Sequence, residues 1–159
     1  MDGKVNKKVI FGIAAILSVA FLGTIITGIA SGWFNTAKTE LSSEYYHADA
    51  ASGLDSATYE RLTREKKSFL VISYLPGCTA KLLQFVKDFS AEHDVAFLYY
   101  NFADLKGSSL YDTIKYSPSV AVVSEGRVVA HLDANSNEDV AKYNDYNVFK
   151  SWLESLVKF

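Results

Sequence analysis

The chain has 159 residues, 49% of them hydrophobic and 21% charged, and a formal net charge of −2. That length suits one ordinary domain plus an accessory segment, and the charge balance lacks the basic excess that a nucleic-acid-binding surface requires. Cys78 is the single cysteine, so an intrachain disulfide and a cysteine-rich metal site are excluded; His47, His93 and His131 have no ligand spacing around them, and no metal or other cofactor is expected.

From Val9 to Ala37 there is no charged residue, and the apolar core VIFGIAAILSVAFLGTIITGIASGWF occupies residues 9–34. As a helix this run would be roughly 39 Å long, against roughly 30 Å of bilayer hydrocarbon. Trp33 and Phe34 fall at its far end, where aromatic side chains favour the interface. A cleaved signal peptide is the competing reading, but its apolar region would be only about 7–15 residues long. Small residues do occur at Gly28-Ile29-Ala30-Ser31-Gly32, without the A-x-A form. Lys4, Lys7 and Lys8 precede the run and only Lys38 follows closely. The positive-inside rule then makes residues 1–8 a cytoplasmic tail and 9–34 a single-pass anchor in the cell membrane, with the C-terminal part outside. The lipid bilayer is thus the first expected partner.

Residues 35–53 are small and polar without an apolar period, which predicts a linker or stalk, in part helical. The folded domain is expected over residues 54–159. Ser56 to Lys67 reads as a helix capped by Asp55 or Ser56, with Tyr59 and Leu62 as its apolar points. Phe69 to Tyr74 is a continuous apolar run, a buried strand, broken by Leu75-Pro76-Gly77. Lys81 to His93 carries apolar residues at 82, 85, 86 and 89, one face of a helix. Val95 to Tyr100 is a second buried strand, and Leu105 to Lys115 a shorter helix. Ser119–Val123 and Arg127–Leu132 flank Glu125-Gly126, a hairpin signal. Residues 133–147 read as a polar loop, and Val148 to Lys158 as a last helix. A crossover helix between the first two strands implies parallel pairing, and the hairpin is antiparallel. The expected class is therefore α/β, a mixed four-stranded sheet flanked by helices.

This order, with FLVISYLPGCTAK at residues 69–81 and SPSVAVVSEGRVV at 117–129, resembles the thioredoxin fold. Residues 69–81 are similar to the core strand, active-site turn and following helix; residues 117–129 are similar to the cis-proline strand and hairpin. An extracytoplasmic domain behind one anchor also resembles the bacteriocin transport accessory group of thioredoxin-like proteins. The resemblance implies a C-x-x-C site, and here the matching residues are Cys78-Thr79-Ala80-Lys81. A shifted register would put Leu75 first and Cys78 second, and either way one thiol is missing. Ile72 stands where the family usually keeps a buried acid. Dithiol exchange needs a second thiolate to release the mixed disulfide, so this chain cannot complete it alone.

The candidate site residues follow from that alignment. Cys78 is a possible lone nucleophile, favoured as thiolate by a helix N-terminus and by Lys81; the plain alternative is a small apolar residue packed at a turn. Pro118, Ser117, Pro76, Gly77 and Lys81 are the candidate binding residues, with Pro118 implied to be cis by the resemblance. A protein or peptide partner is expected at this Cys78/Pro118 edge. Asp133, Asn135 and Asn137 resemble the opening of a calcium loop, but Glu138 occupies the glycine position and Asn144 the position of the bidentate glutamate. Tyr143 and Tyr146 read as exposed recognition aromatics, whereas Tyr99 and Tyr100 belong to the second strand. Two functions stand open: an accessory or binding domain without dithiol redox activity, and a monothiol thiol–disulfide oxidoreductase using Cys78.

Overall fold

The computed structural model describes residues 37–77 and 80–159. The expected tail (1–8), the expected anchor (9–34) and Cys78 lie outside the described residues. Among the described residues, no helix is long and apolar enough to cross a membrane. Lys38–Phe159 form one compact unit.

In chain order the elements are β1 (Thr39–Glu40), β2 (Ser52–Leu54), α1 (Ser56–Arg64), β3 (Phe69–Tyr74), α2 (Ala80–His93), β4 (Phe97–Asn101), α3 (Ser109–Thr113), β5 (Ser119–Ser124), β6 (Arg127–His131), α4 (Val140–Asn144), α5 (Tyr146–Leu156) and β7 (Val157–Lys158). Short 3₁₀ turns occupy Ser43–Tyr45, Ala48–Ala50 and Phe102–Asp104. The main sheet runs β2-β4-β3-β5-β6, with β2, β4 and β3 parallel and β5 and β6 antiparallel.

The central strands follow from their composition. Phe69 to Ser73 are buried without a break, as a strand covered on both faces requires. β5 is buried in the same way over Ser119–Val123, and β4 is buried except at the half-buried Tyr99 and Asn101. The outer strand β6 alternates between exposed and half-buried residues. α1 starts where Asp55 accepts a hydrogen bond from the Thr58 amide at 2.7 Å, and it buries Tyr59 and Leu62. Phe89 of α2 and Phe149 of α5 meet ring edge to ring face, 6.1 Å apart, and Phe89 also meets Phe97. These rings close one side of the sheet.

Four expectations are corrected. The main sheet has five strands, not four, because Ser52–Leu54 pairs with Leu98–Tyr100. Residues 39–53 are not a stalk. Thr39–Glu40 pairs in parallel with Val157–Lys158, Leu41 and Tyr45 are buried, and the Tyr46 hydroxyl accepts from the Leu41 amide and donates to the Lys158 carbonyl, both at 3.0 Å. These apolar residues are too sparse to form a period, and their partners lie far away in sequence. The polar stretch 133–147 contains α4 and the start of α5. The expected helix over 105–115 is also shorter, reduced to α3.

Candidate functional site

The antiparallel ladder between β3 and β5 pairs Ser73 with Ser119. That register brings the exit of β3, leading into Leu75-Pro76-Gly77, beside the entry to β5, preceded by Ser117 and Pro118. Two segments roughly 40 residues apart therefore form one edge, and the ladder fixes their offset.

Ser117 and Pro118 are half-buried, and the peptide bond between them is cis, as the resemblance implies. The Ser117 hydroxyl donates to the Ser73 carbonyl at 3.4 Å, tying the segment to β3. Among the described residues, the backbone N–H and C=O of Tyr116 and Ser117 take part in no hydrogen bond. Tyr116 is 48% exposed. An extended piece of backbone with open donors and acceptors can accept a second extended chain.

Across the edge, Pro76 and Gly77 are exposed. Gly77 has φ +88°, a conformation in which a Cβ is costly, so the turn suits glycine at this position. Lys81 sits in the first turn of α2. Its ammonium donates to Asn144 Oδ1 at 3.3 Å and lies 5.9 Å from the centre of the Phe85 ring. Ile72 is fully buried, paired with Tyr99 on one side and Val120 on the other, so hydrocarbon fills the position where the family's acid would stand. Ser73 is also fully buried, and its hydroxyl has no partner among the described residues.

The structure adds one residue that the sequence did not assign to this edge. Tyr143, on α4, donates its phenol to the Pro118 carbonyl at 2.7 Å. Burial, reinforced by the negative charges of Asp139 and Asp133, raises the phenol pKa well above the usual tyrosine range, so it remains a donor throughout ordinary pH. Tyr143 and Tyr146 are thus not exposed loop aromatics. Both are half-buried, and Tyr146 packs 5.6 Å from Phe85. Tyr99 lies in β4 as expected and meets Tyr74 edge to face at 6.4 Å. No sequence signal marks Tyr143, because α4 is too short for a period and its partner lies 25 residues away.

The acidic loop serves its own backbone. Asp133 Oδ1 accepts from the Asn135 amide, and Asp139 Oδ2 accepts from the Asp133 amide, both at 2.8 Å. Among the described residues, no cluster of His, Cys, Asp and Glu could hold a metal ion.

No family model matches this chain, and no curated protein matches it. Solved structures do. A mutant thioredoxin of Halobacterium salinarum NRC-1 is 14% identical, with a TM-score of 0.51 over 69% of this chain and 91% of that one. Mitochondrial thioredoxin 3 of Saccharomyces cerevisiae is 9% identical, with a TM-score of 0.50 over 69% of this chain and 98% of that one. At such identities the likeness is one of fold: this chain has a thioredoxin-like α/β fold, a mixed sheet flanked by helices.

Proposed function

We propose that this protein is a membrane-anchored, extracytoplasmic accessory domain that holds an extended segment of a partner protein along its Tyr116–Pro118 edge, without a dithiol redox cycle. The observation that carries the reading is the unpaired backbone of Tyr116 and Ser117, held in register by Ser73 and flanked by the Pro76-Gly77 turn. Residues 9–34, with Lys4, Lys7 and Lys8 before them, support the anchor and its orientation. The relation to the bacteriocin transport accessory group belongs to the same reading. The chemistry supports the negative part. A dithiol enzyme frees its mixed disulfide when a second thiolate attacks the first sulfur, and Lys81 cannot make that attack.

The test uses the full chain in cells. A photocrosslinking residue at Tyr116 should give a defined adduct whose mapped contact is an extended stretch of one membrane or secreted protein, and one at Arg64 should not. Equal adducts at both positions, or none at Tyr116, would overturn the docking reading. The purified protein should not accelerate insulin reduction by dithiothreitol. Cys78→Ser should keep the Tyr116 adduct; loss of that adduct at unchanged protein abundance would replace the accessory reading with the monothiol oxidoreductase.

A further inference from the structure

We propose that α4 is a strap, closed over the Pro118 edge and able to open while the rest of the domain stays folded. The proposal rests on the reading of that edge as a docking site and adds a gate to it.

Burial marks the two ends of the segment that carries α4. Leu132 is buried at one end, its amide bonded to the Val120 carbonyl at 2.9 Å. Phe149 is fully buried at the other end, on α5. Between them, residues 133–148 contain no buried residue at all. Val140 is 49% exposed, and Ala141 and Asn144 are also exposed. A segment anchored at both ends but contributing nothing fully buried between them lies at the low-stability end of a fold, where local opening is cheap.

The Tyr143 ring is the one part of α4 packed, half-buried, against the core, and polar contacts hold the rest. The Tyr143 phenol reaches the Pro118 carbonyl, and Asn144 receives the Lys81 ammonium. A third contact, Lys142 with Asp139, is internal to the segment and moves with it. Both external contacts land on residues of the candidate edge. Opening the strap therefore releases the Pro118 carbonyl and the Lys81 ammonium together. In the chain, Lys81 lies three residues after Cys78, the protein's only thiol, and the alkylation rate of that thiol is taken as a second readout.

The test uses the full-length chain in lipid nanodiscs and two readouts that need no partner. Amide exchange over residues 140–144 reports opening of the strap, and iodoacetamide alkylation of Cys78 reports its effect on the edge. Tyr143→Phe removes one hydrogen bond and keeps the ring. Exchange over 140–144 should rise about three- to tenfold, and alkylation should accelerate in the same sense. Asn144→Asp turns the Lys81 contact into an ion pair and should slow both. Exchange in β3 and β5 should stay unchanged in each variant. Unchanged exchange at 140–144 in Tyr143→Phe, or a rise that appears equally in β3 and β5, overturns the strap. A rigid α4 combined with defined crosslinks from Tyr116 sinks the strap alone; an opening α4 without those crosslinks upholds the strap and sinks the docking reading.

Discussion

Gly126→Ala should be among the more damaging single-methyl changes in this domain. Gly126 ends the β5–β6 turn with φ +75°, and its amide donates to the Lys67 carbonyl at 2.9 Å. A Cβ there would stand 2.2 Å from the Thr63 carbonyl oxygen and 3.0 Å from its carbon. The obstacle is the backbone at the end of α1, not the tip of a flexible side chain, so the turn itself must move. The left-handed conformation costs an alanine about 1–2 kcal/mol. Loss of the Lys67 hydrogen bond adds about 1 kcal/mol, and relief of the overlap about 1–2 more. The sum is about 3–5 kcal/mol. Unfolding entropy of about 2.1 cal/mol/K per residue over the Lys38–Phe159 unit converts each kcal/mol to about 4 °C, so the melting temperature should fall by about 12–20 °C. Two other glycines calibrate the measurement. Gly77 has φ +88° and nothing within 4 Å, so Gly77→Ala should show the backbone cost alone, about 4–8 °C. Gly53 has open space and no positive φ, and Gly53→Ala should stay within about 2 °C of the parent. Thermal melts followed by circular dichroism of the full chain in detergent give all three. A Gly126→Ala protein melting within about 3 °C of the parent, or no lower than Gly77→Ala, would refute the reasoning.

Two further outcomes follow from the folded state. Leu41→Ala removes a buried side chain from the segment that sequence alone reads as a stalk, and should cost about 2–4 kcal/mol, or about 8–16 °C; an unchanged melt would return residues 39–53 to linker status. Acid should destabilise the domain through carboxylates held below their ordinary pKa: Glu44 by Lys67, Asp55 by the Thr58 amide, Glu92 by Lys150 and Asp94 by the Ala48 amide. In Asp139 burial pulls the other way and is outweighed by the Asp133 amide and Lys142. A depressed folded pKa gives stability that is present above the unfolded value and lost as pH falls through the folded one. Urea midpoints should therefore be flat from about pH 7 to about pH 5 and decline below the ordinary values of 4.5 and 3.8; a decline that begins above about pH 6 would contradict this assignment.

The parts of the fold legible in the sequence are those whose signal is local. Phe69–Tyr74 and Ser119–Val123 are unbroken apolar runs, and a strand buried on both faces has no other way to appear in a sequence. Glu125-Gly126 marks the hairpin because both residues take positive φ, which the turn requires. What escaped was held by distant partners. β2 is Ser52-Gly53-Leu54, a poor strand by composition, formed because β4 offers an edge and Leu54 finds cover. β1 depends on β7 at the opposite end of the chain. The candidate edge was legible as a set of motifs, Pro76-Gly77 and Ser117-Pro118, since turn chemistry is local. Its cover was not, since neither Tyr143 nor Asn144 sits in a pattern that points to Pro118 or Lys81.

Position 81 links the proposed lack of a dithiol cycle to the proposed strap. Docking of an extended chain and dithiol exchange make separate demands on this fold. Docking needs the backbone at Ser117 held open, and the Ser73–Ser119 register together with the Ser117 hydroxyl supplies that without any thiol. Exchange needs a second sulfur at position 81 and a nearby group to take up protons. At position 72 the structure offers Ile72, fully buried between Tyr99 and Val120, an apolar side chain that cannot take up a proton. At position 81 it offers a side chain whose four-carbon stem carries an ammonium to Asn144 on another helix. A cysteine sulfur, one carbon from the backbone, has no such reach and no strong donor. The same position can therefore serve exchange or hold α4 against the edge, but not both. On the proposed reading, lysine at position 81 holds α4 to the edge at the place where a dithiol cycle would need its second sulfur.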